Sequence, residues 1–452
     1  IGVVFTSSSL NHLPVSSFPH PSGSNRSGRV EQLGEGFFMK LCDVVQFYSP
    51  LGGGVRRYLE DKMRFLAGRD NFEHLVIVPS HRDHVDCIYR TRMYEIKSLR
   101  LVGSFSYRML LNRRRILSIV KEEKPALIEV GDAYRSAWIA LEAGRRLRIP
   151  IVAFYHSDFP RALGRTIRRF CGQPVERILS RVMNRYIVNL YNRMHATVVA
   201  SRRLQDVLTR CGIKRVVWIP LGTDVQVFKP NPAGREIRRE LDLSQEDFLM
   251  LFVGRLAREK QIRNLIHMME ELTARPGKAR RYHLLLVGDG ELRDFVENTV
   301  QQRHDVTWLR YSDSTERLTA YYSAADLFVH AGTYETFGIT SLEAQACGVR
   351  VLAVRSGGLD ETVIGENPLI MAESASPADL AEGVRQCECV QNAQTPEERR
   401  ERIVRHFSIT TTFERLTCLY QHILEGRPVE QFSYPGEEWN AHEYKCPAIL
   451  TR

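Results

Sequence analysis

Short apolar runs rich in β-branched residues alternate with amphipathic stretches from Met39 almost to Gly426. In the first half the runs are "MKLCDVVQFYS" from Met39, then residues 75–78, 126–130, 151–156, 196–201 and 216–220. In the second half they are 248–255, 284–290, 306–309, 327–332, 350–354 and 369–371. Runs that are apolar throughout predict strands buried on both faces, and the helical patterns between them supply the covering layers. Two such sets predict an α/β protein with two doubly wound domains, 39–220 and 221–408. The boundary falls in "IPLGTDVQVFKPNPAG", where turn residues interrupt the alternation. Residues 409–426 carry one strong helical period, stopped by Gly426 and Pro428, and 427–452 show no regular pattern. Residues 1–38 are rich in Ser, Pro, Gly and Asn and read as a disordered or non-native extension, with translation expected to start at Met39.

Composition narrows the class. No stretch reaches the eighteen or so apolar residues of a membrane span, and 43% hydrophobic with 26% charged content is that of a globular chain. The nine cysteines are scattered, which reads as reduced thiols and a cytoplasmic location. Cys387 and Cys389, two apart on a predicted helix, do not share a face, which argues against a metal there. The net charge of +10 is uneven: ten arginines face one acidic residue between Arg161 and Arg203. Within that segment Arg177, Arg181 and Arg185 recur every four positions beside an apolar stripe of Ile178, Val182, Tyr186 and Leu190. Two readings stay open: a helix with its stripe in the core, or a basic amphipathic helix that meets an anionic membrane surface or a phosphorylated acceptor. No nucleic-acid module accompanies the charge, so nucleic acid is not an expected partner.

The candidate chemistry sits at strand ends, where doubly wound sheets bind ligands. After the strand at 248–253 come Gly254, Arg255 and Lys260, two cations at a helix start suited to a diphosphate or simply facing water. Gly288 and Gly290 bracket Asp289 at another strand end, either a routine turn or a place where a ligand meets backbone. After 327–330, "YETFGITSLEAQACG" sets Glu335 on a loop and Glu343 eight positions later on a helix, with the amides of Phe337, Gly338 and Ile339 between them. That pair reads either as a clamp for hydroxyls or as a capping carboxylate followed by a surface helical one. In the first half, Gly52, Gly53 and Gly54 precede a helix, and His156 and Asp158 end a strand. Each fits a structural role as well as a functional one.

The order and spacing of "VGRLAREK", "LLLVGDGELR", "HAGTYETFGITSLEAQACGVRVLAV" and "GGLDETV" resemble the retaining glycosyltransferases of family four. The resemblance implies the GT-B fold, two Rossmann-like domains facing across a cleft, with the helix at 409–426 crossing back to the first domain. It implies a nucleoside-diphosphate sugar as co-substrate and a lipid or glycan acceptor on the first domain. It places Glu343 on the ribose hydroxyls, Glu335 with the amides of Phe337 to Ile339 on the donor sugar, and Arg255 and Lys260 on the diphosphate. Gly53 and Gly54 fall across the cleft, and His156 falls near the donor sugar. No Asp-x-Asp occurs, so no cofactor and no metal are expected. The transfer expected is of a hexose, with retention, on a protein that is cytoplasmic and peripheral on the inner face of the cytoplasmic membrane. A nucleotide-sugar epimerase on the same scaffold, or an idle sugar-nucleotide-binding protein, are the alternatives.

Overall fold

A computed structural model describes residues 32–33, 36–48, 54–101, 107–156, 177–274, 281–310, 314–333, 335, 337–355, 358–363, 370–390 and 394–434. Gly52, Gly53, Asp158 and all of the arginine-rich stretch before Arg177 lie outside these residues. Two mainly parallel sheets organise the chain. The first runs, edge to edge, Val216–Trp218, Ala196–Val199, Ile151–Phe154, Leu127–Val130, Met39–Val44, Phe72–Ser80, Thr91–Lys97 and His84–Ile88. The second runs Val306–Leu309, Tyr282–Val287, Phe248–Val253, Leu327–His330, Arg350–Val354 and Met371–Ala372. Every pairing in the second sheet is parallel, and Phe248–Val253 is buried at all six positions, as its unbroken apolar pattern requires.

The first sheet departs from the expected pattern at one edge. His84–Ile88 pairs antiparallel with Thr91–Lys97 as a hairpin, and its outer strand is largely exposed. Such an edge tolerates "HVDCI", whose polar residues hide it from a search for apolar runs. Ahead of Met39, Gln32–Leu33 and Gly36–Phe37 form a short antiparallel pair inside a stretch expected to be irregular.

The chain crosses between the sheets twice, side by side. The Thr223 amide donates to the Phe407 carbonyl at 2.8 Å, and the Ile409 amide donates to the Thr223 carbonyl at 2.9 Å. A side chain on Gly222 would fall 2.4 Å from the Ser408 carbonyl carbon, so only glycine lets the crossings lie this close. Helix Ile409–Leu424 then packs against the first domain, where the Tyr420 hydroxyl meets Lys62 at 3.2 Å. Residues 177–191 are helical, and their apolar stripe is split. Ile187, Leu190 and Tyr191 are buried, whereas Ile178 (64%) and Val182 (57%) are exposed beside Arg177, Arg181 and Arg185.

Candidate functional site

Two loops form one wall. Strand Phe248–Val253 ends at Gly254, and the Gly254 amide donates to the Val287 carbonyl at 3.0 Å. The Leu256 amide reaches the Asp289 carbonyl, and the Leu292 amide the Leu256 carbonyl, both at 3.0 Å. A Cβ on Gly288, where φ is +150°, would lie 1.8 Å from the Gly254 carbonyl oxygen; one on Gly290 would lie 2.5 Å from that of Leu256. The backbone these glycines admit is therefore that of the neighbouring loop. Asp289 is turned to its own helix, where it accepts from the Gly290 amide and from Arg293. Arg255 stands 68% exposed at the loop, 3.6 Å from Glu259, so its charge is in solvent.

The next loop over carries an ion pair. Lys260, in the turn Arg258–Lys260, binds Glu335 Oε2, and the His330 Nε2 lies 3.4 Å from the same oxygen. The Gly332 amide donates to His330 Nδ1 at 3.2 Å, which leaves Nε2 to carry the ring proton toward Glu335. Burial pushes the Glu335 carboxyl up, yet Lys260 and the His330 hydrogen bond outweigh it and hold the group well below the carboxylate range. A charged carboxylate is thus fixed in a half-enclosed loop, an arrangement that accepts hydroxyl donors. Phe337 is buried against Phe407, and Gly338 takes φ +90° to open the helix Ile339–Ala346. A Cβ on Gly338 would strike Leu359 at 2.5 Å.

Glu343, on that helix, is no surface residue; it is 1% exposed. The Tyr322 hydroxyl donates to its Oε2 at 2.7 Å, and Arg57 of the first domain binds its Oε1. Arg57 stands in the first turn of helix Gly54–Ala67, with its guanidinium 4.8 Å from the centre of the Phe228 ring. Both carboxylates follow the strand Leu327–His330, and Arg57 follows Met39–Val44, so the contact joins the carboxyl ends of the two sheets.

The next residue, Tyr58, serves the first domain's own histidine. The Tyr58 ring meets His156 edge-on at 4.8 Å, Phe154 stacks on His156 at 4.3 Å, and Gly131 lies under the imidazole. Burial, with Lys62 nearby, pushes His156 down to about 3, so the ring is neutral at physiological pH and can donate or accept a hydrogen bond without carrying charge. The Tyr58 hydroxyl is anchored on Glu129 at 2.9 Å. A Cβ on Gly54 would meet open space, so close backbone packing does not demand glycine there.

The structure therefore brings together Glu335 with Lys260, Glu343 with the first domain, and the loops of Gly254, Gly288 and Gly290. Sequence reasoning passed over Arg57, Tyr58, Tyr322 and His330. His330 carried a usable signal, a polar residue closing an apolar strand ahead of a glycine; the other three act through partners remote in the chain.

Two open α/β sheets whose strand ends meet across charged loops form the architecture in which ligands bind beyond the carboxyl ends of the strands, and comparison with known proteins supplies the class. The family models agree: Glycosyltransferase Family 4 matches residues 52–227, and Glycosyl transferases group 1 matches 234–404. The chain belongs to the family-four glycosyltransferases, enzymes of GT-B fold that use nucleotide sugars. It is 27% identical over 337 residues to a GDP-mannose-dependent alpha-mannosyltransferase of Corynebacterium glutamicum, covering 74% of this chain and 76% of the relative. It is 25% identical to the GDP-mannose-dependent alpha-(1-6)-phosphatidylinositol dimannoside mannosyltransferase of Mycobacterium tuberculosis, over 83% and 93% of the two chains. Among solved structures, sucrose-phosphate synthase from Thermosynechococcus elongatus superposes with a TM-score of 0.69 at 22% identity, over 86% of this chain and all of that one. Anabaena HepE in complex with UDP and glucose gives 0.63 at 21%, over 84% and 98%.

Proposed function

We propose that the protein is a retaining glycosyltransferase that moves a hexose from a nucleoside-diphosphate sugar to a hydroxyl of a lipid or glycan acceptor, forming an α-linkage. The observation that carries this reading is the pair of carboxylates, Glu335 held ionised by Lys260 and Glu343 buried at the facing strand ends. Glu343 accepts the ribose hydroxyls, and Glu335 with the turn at Phe337, Gly338 and Ile339 holds the donor sugar. Arg255 and Lys260, beside the glycine loops, take the diphosphate. Neutral His156 donates a hydrogen bond to the sugar from the first domain.

The acceptor oxygen attacks the anomeric carbon from the face on which the diphosphate departs. The carbon–oxygen bond to phosphate breaks as the new glycosidic bond forms, and the acceptor proton passes to the departing phosphate oxygen. Charge on that leaving group is met by Arg255, Lys260 and helix N-termini, so the reading needs no divalent ion. Among the described residues no group of three His, Cys, Asp or Glu side chains could hold one.

The mannosyl donors of the curated relatives make GDP-mannose the first donor to try. The exposed Ile178 and Val182, rimmed by Arg177, Arg181 and Arg185, support docking of the first domain on an anionic membrane surface that carries the acceptor. Among the described residues no helix is long and apolar enough to cross a membrane.

A thermal-shift screen of GDP-mannose, UDP-glucose and ADP-glucose with EDTA present, repeated on Glu343→Ala, tests the donor site. One donor class should stabilise the wild type and not the variant. Equal stabilisation of both proteins refutes the clamp, and stabilisation that appears only when a divalent ion replaces EDTA refutes metal independence.

A further inference from the structure

Arg57 belongs to the first domain, yet its guanidinium ends on Glu343, 286 positions away in the other domain. Tyr322 takes the second oxygen of that carboxylate. A ribose diol captured in a bidentate way also draws on both oxygens, so it competes with these two side chains for the acceptor sites of the carboxylate. Tyr322 is fully buried behind Glu343, whereas the Arg57 side chain is 32% exposed. The route from solvent to Glu343 thus runs past the guanidinium.

We infer that Arg57 is an intramolecular competitor of the nucleotide at Glu343: donor entry displaces the guanidinium, and while paired it ties the first domain to the second. This rests on the ribose-clamp role given to Glu343 above. Two features let Arg57 leave without stranding its charge. Asp61, one turn along the same helix, lies 3.9 Å from Arg57 Nε, and the Phe228 face supports the guanidinium as a pivot. The arginine therefore has a second carboxylate within reach on its own element. Occupation of Glu343 by Arg57 lowers the fraction of molecules ready for the nucleotide and raises the apparent Kd by the same factor. The contact also crosses the cleft, so releasing it frees the domains to adjust around the ligand.

The experiment is a calorimetric titration of GDP, with UDP and ADP alongside, into wild type, Arg57→Met, Glu343→Gln and the double variant. Methionine keeps an unbranched apolar stem and removes the guanidinium, both its pairing with Glu343 and its contact with Phe228. Arg57→Met should bind the accepted nucleotide about fivefold more tightly than wild type. Glu343→Gln should bind at least about tenfold more weakly, because the amide returns one donor where a carboxylate oxygen was. In the Glu343→Gln background, Arg57→Met should change nothing further, and small-angle scattering without nucleotide should show a larger radius of gyration for Arg57→Met than for wild type. If Arg57→Met binds equally or more weakly while Glu343→Gln is impaired, competition is overturned and the clamp stands. If Glu343→Gln binds like wild type, the clamp reading falls first and the competitor with it.

Discussion

Lys62→Met probes what holds the first domain and its C-terminal helix together. Lys62 is 2% exposed, and its ammonium lies 2.8 Å from Asp43 Oδ1, 3.2 Å from Glu129 Oε2 and 3.2 Å from the Tyr420 hydroxyl. His74 Nε2 sits 2.6 Å from the other Asp43 oxygen, but burial lowers this imidazole below its ordinary range, so Lys62 is the cation that balances two carboxylates. Burial pushes Asp43 up, and Lys62 with the His74 hydrogen bond overcomes it to hold Asp43 at about 2; burial wins at Glu129, which is raised. Methionine keeps the stem and strands both acids. Removing one partner of a buried ion pair costs about 3–5 kcal/mol. At ~2–4 °C per kcal/mol for a domain of this size, the first-domain transition should fall by about 6–20 °C. Differential scanning calorimetry and urea unfolding read this loss. Without the ammonium both carboxyls titrate above their unfolded values, so the penalty is fullest above those raised values and shrinks as the pH falls through them. Asp43→Asn with Glu129→Gln should restore most of the stability to Lys62→Met. A loss below about 1 kcal/mol, or one that does not change between pH 8 and pH 5, refutes the claim that Lys62 compensates two buried charges.

Gly288→Ala places a Cβ 1.8 Å from the Gly254 carbonyl oxygen at a φ of +150°, so the two glycine loops must part. The second-domain transition should drop by about 2–4 kcal/mol, and the nucleotide-induced thermal shift should vanish; an unchanged transition contradicts the loop packing. Glu335→Gln should destabilise most above the ordinary carboxylate value of 4.5, because the folded pKa is depressed and its contribution is lost as pH falls below that value. The gap to wild type should shrink by ~1.4 kcal/mol per pH unit below 4.5, and a gap equal at pH 7 and pH 3.5 rules out ionic holding by Lys260. Liposome flotation should recover the protein with phosphatidylglycerol vesicles and lose it when Ile178 and Val182 are both changed to Ser. Equal recovery from neutral vesicles removes the anionic-surface reading.

Much of the second domain was legible in the sequence because its central strands are buried on both faces, which writes them as unbroken apolar runs. The hairpin His84–Ile88 with Thr91–Lys97 was not, since an exposed edge imposes little pattern. Glycines were legible as positions of close approach, but nothing local says what approaches. At Gly288 it is the Gly254 carbonyl, and at Gly222 it is the chain returning at Ser408. Glu335 and Lys260 could be placed on one wall because each follows a recognisable strand. The buried state of Glu343 could not, because "SLEAQAC" fits a surface helix as well as one wedged beneath Tyr322 and Phe228.

Helix Gly54–Ala67 shows why the cross-domain part of the site stayed hidden. Its pattern reports only which face meets the first core, where Leu59, Met63 and Leu66 lie. Yet three of its polar or half-polar residues each engage a different partner: Arg57 reaches Glu343 of the second domain, Tyr58 braces His156, and Lys62 binds Asp43, Glu129 and the Tyr420 of the C-terminal helix. These partners are separated from the helix by up to 358 positions, far beyond any periodicity. The two ends of the helix differ in burial as well. Lys62 is sealed in the core, where rearrangement would strand a charge, whereas Arg57 is partly exposed and has Asp61 in reach. The helix is thus fixed to the first domain at Lys62, and on the inference that a nucleotide displaces Arg57 it would let go of the second domain there, which would alter the contact between domains without loosening the wall that carries His156.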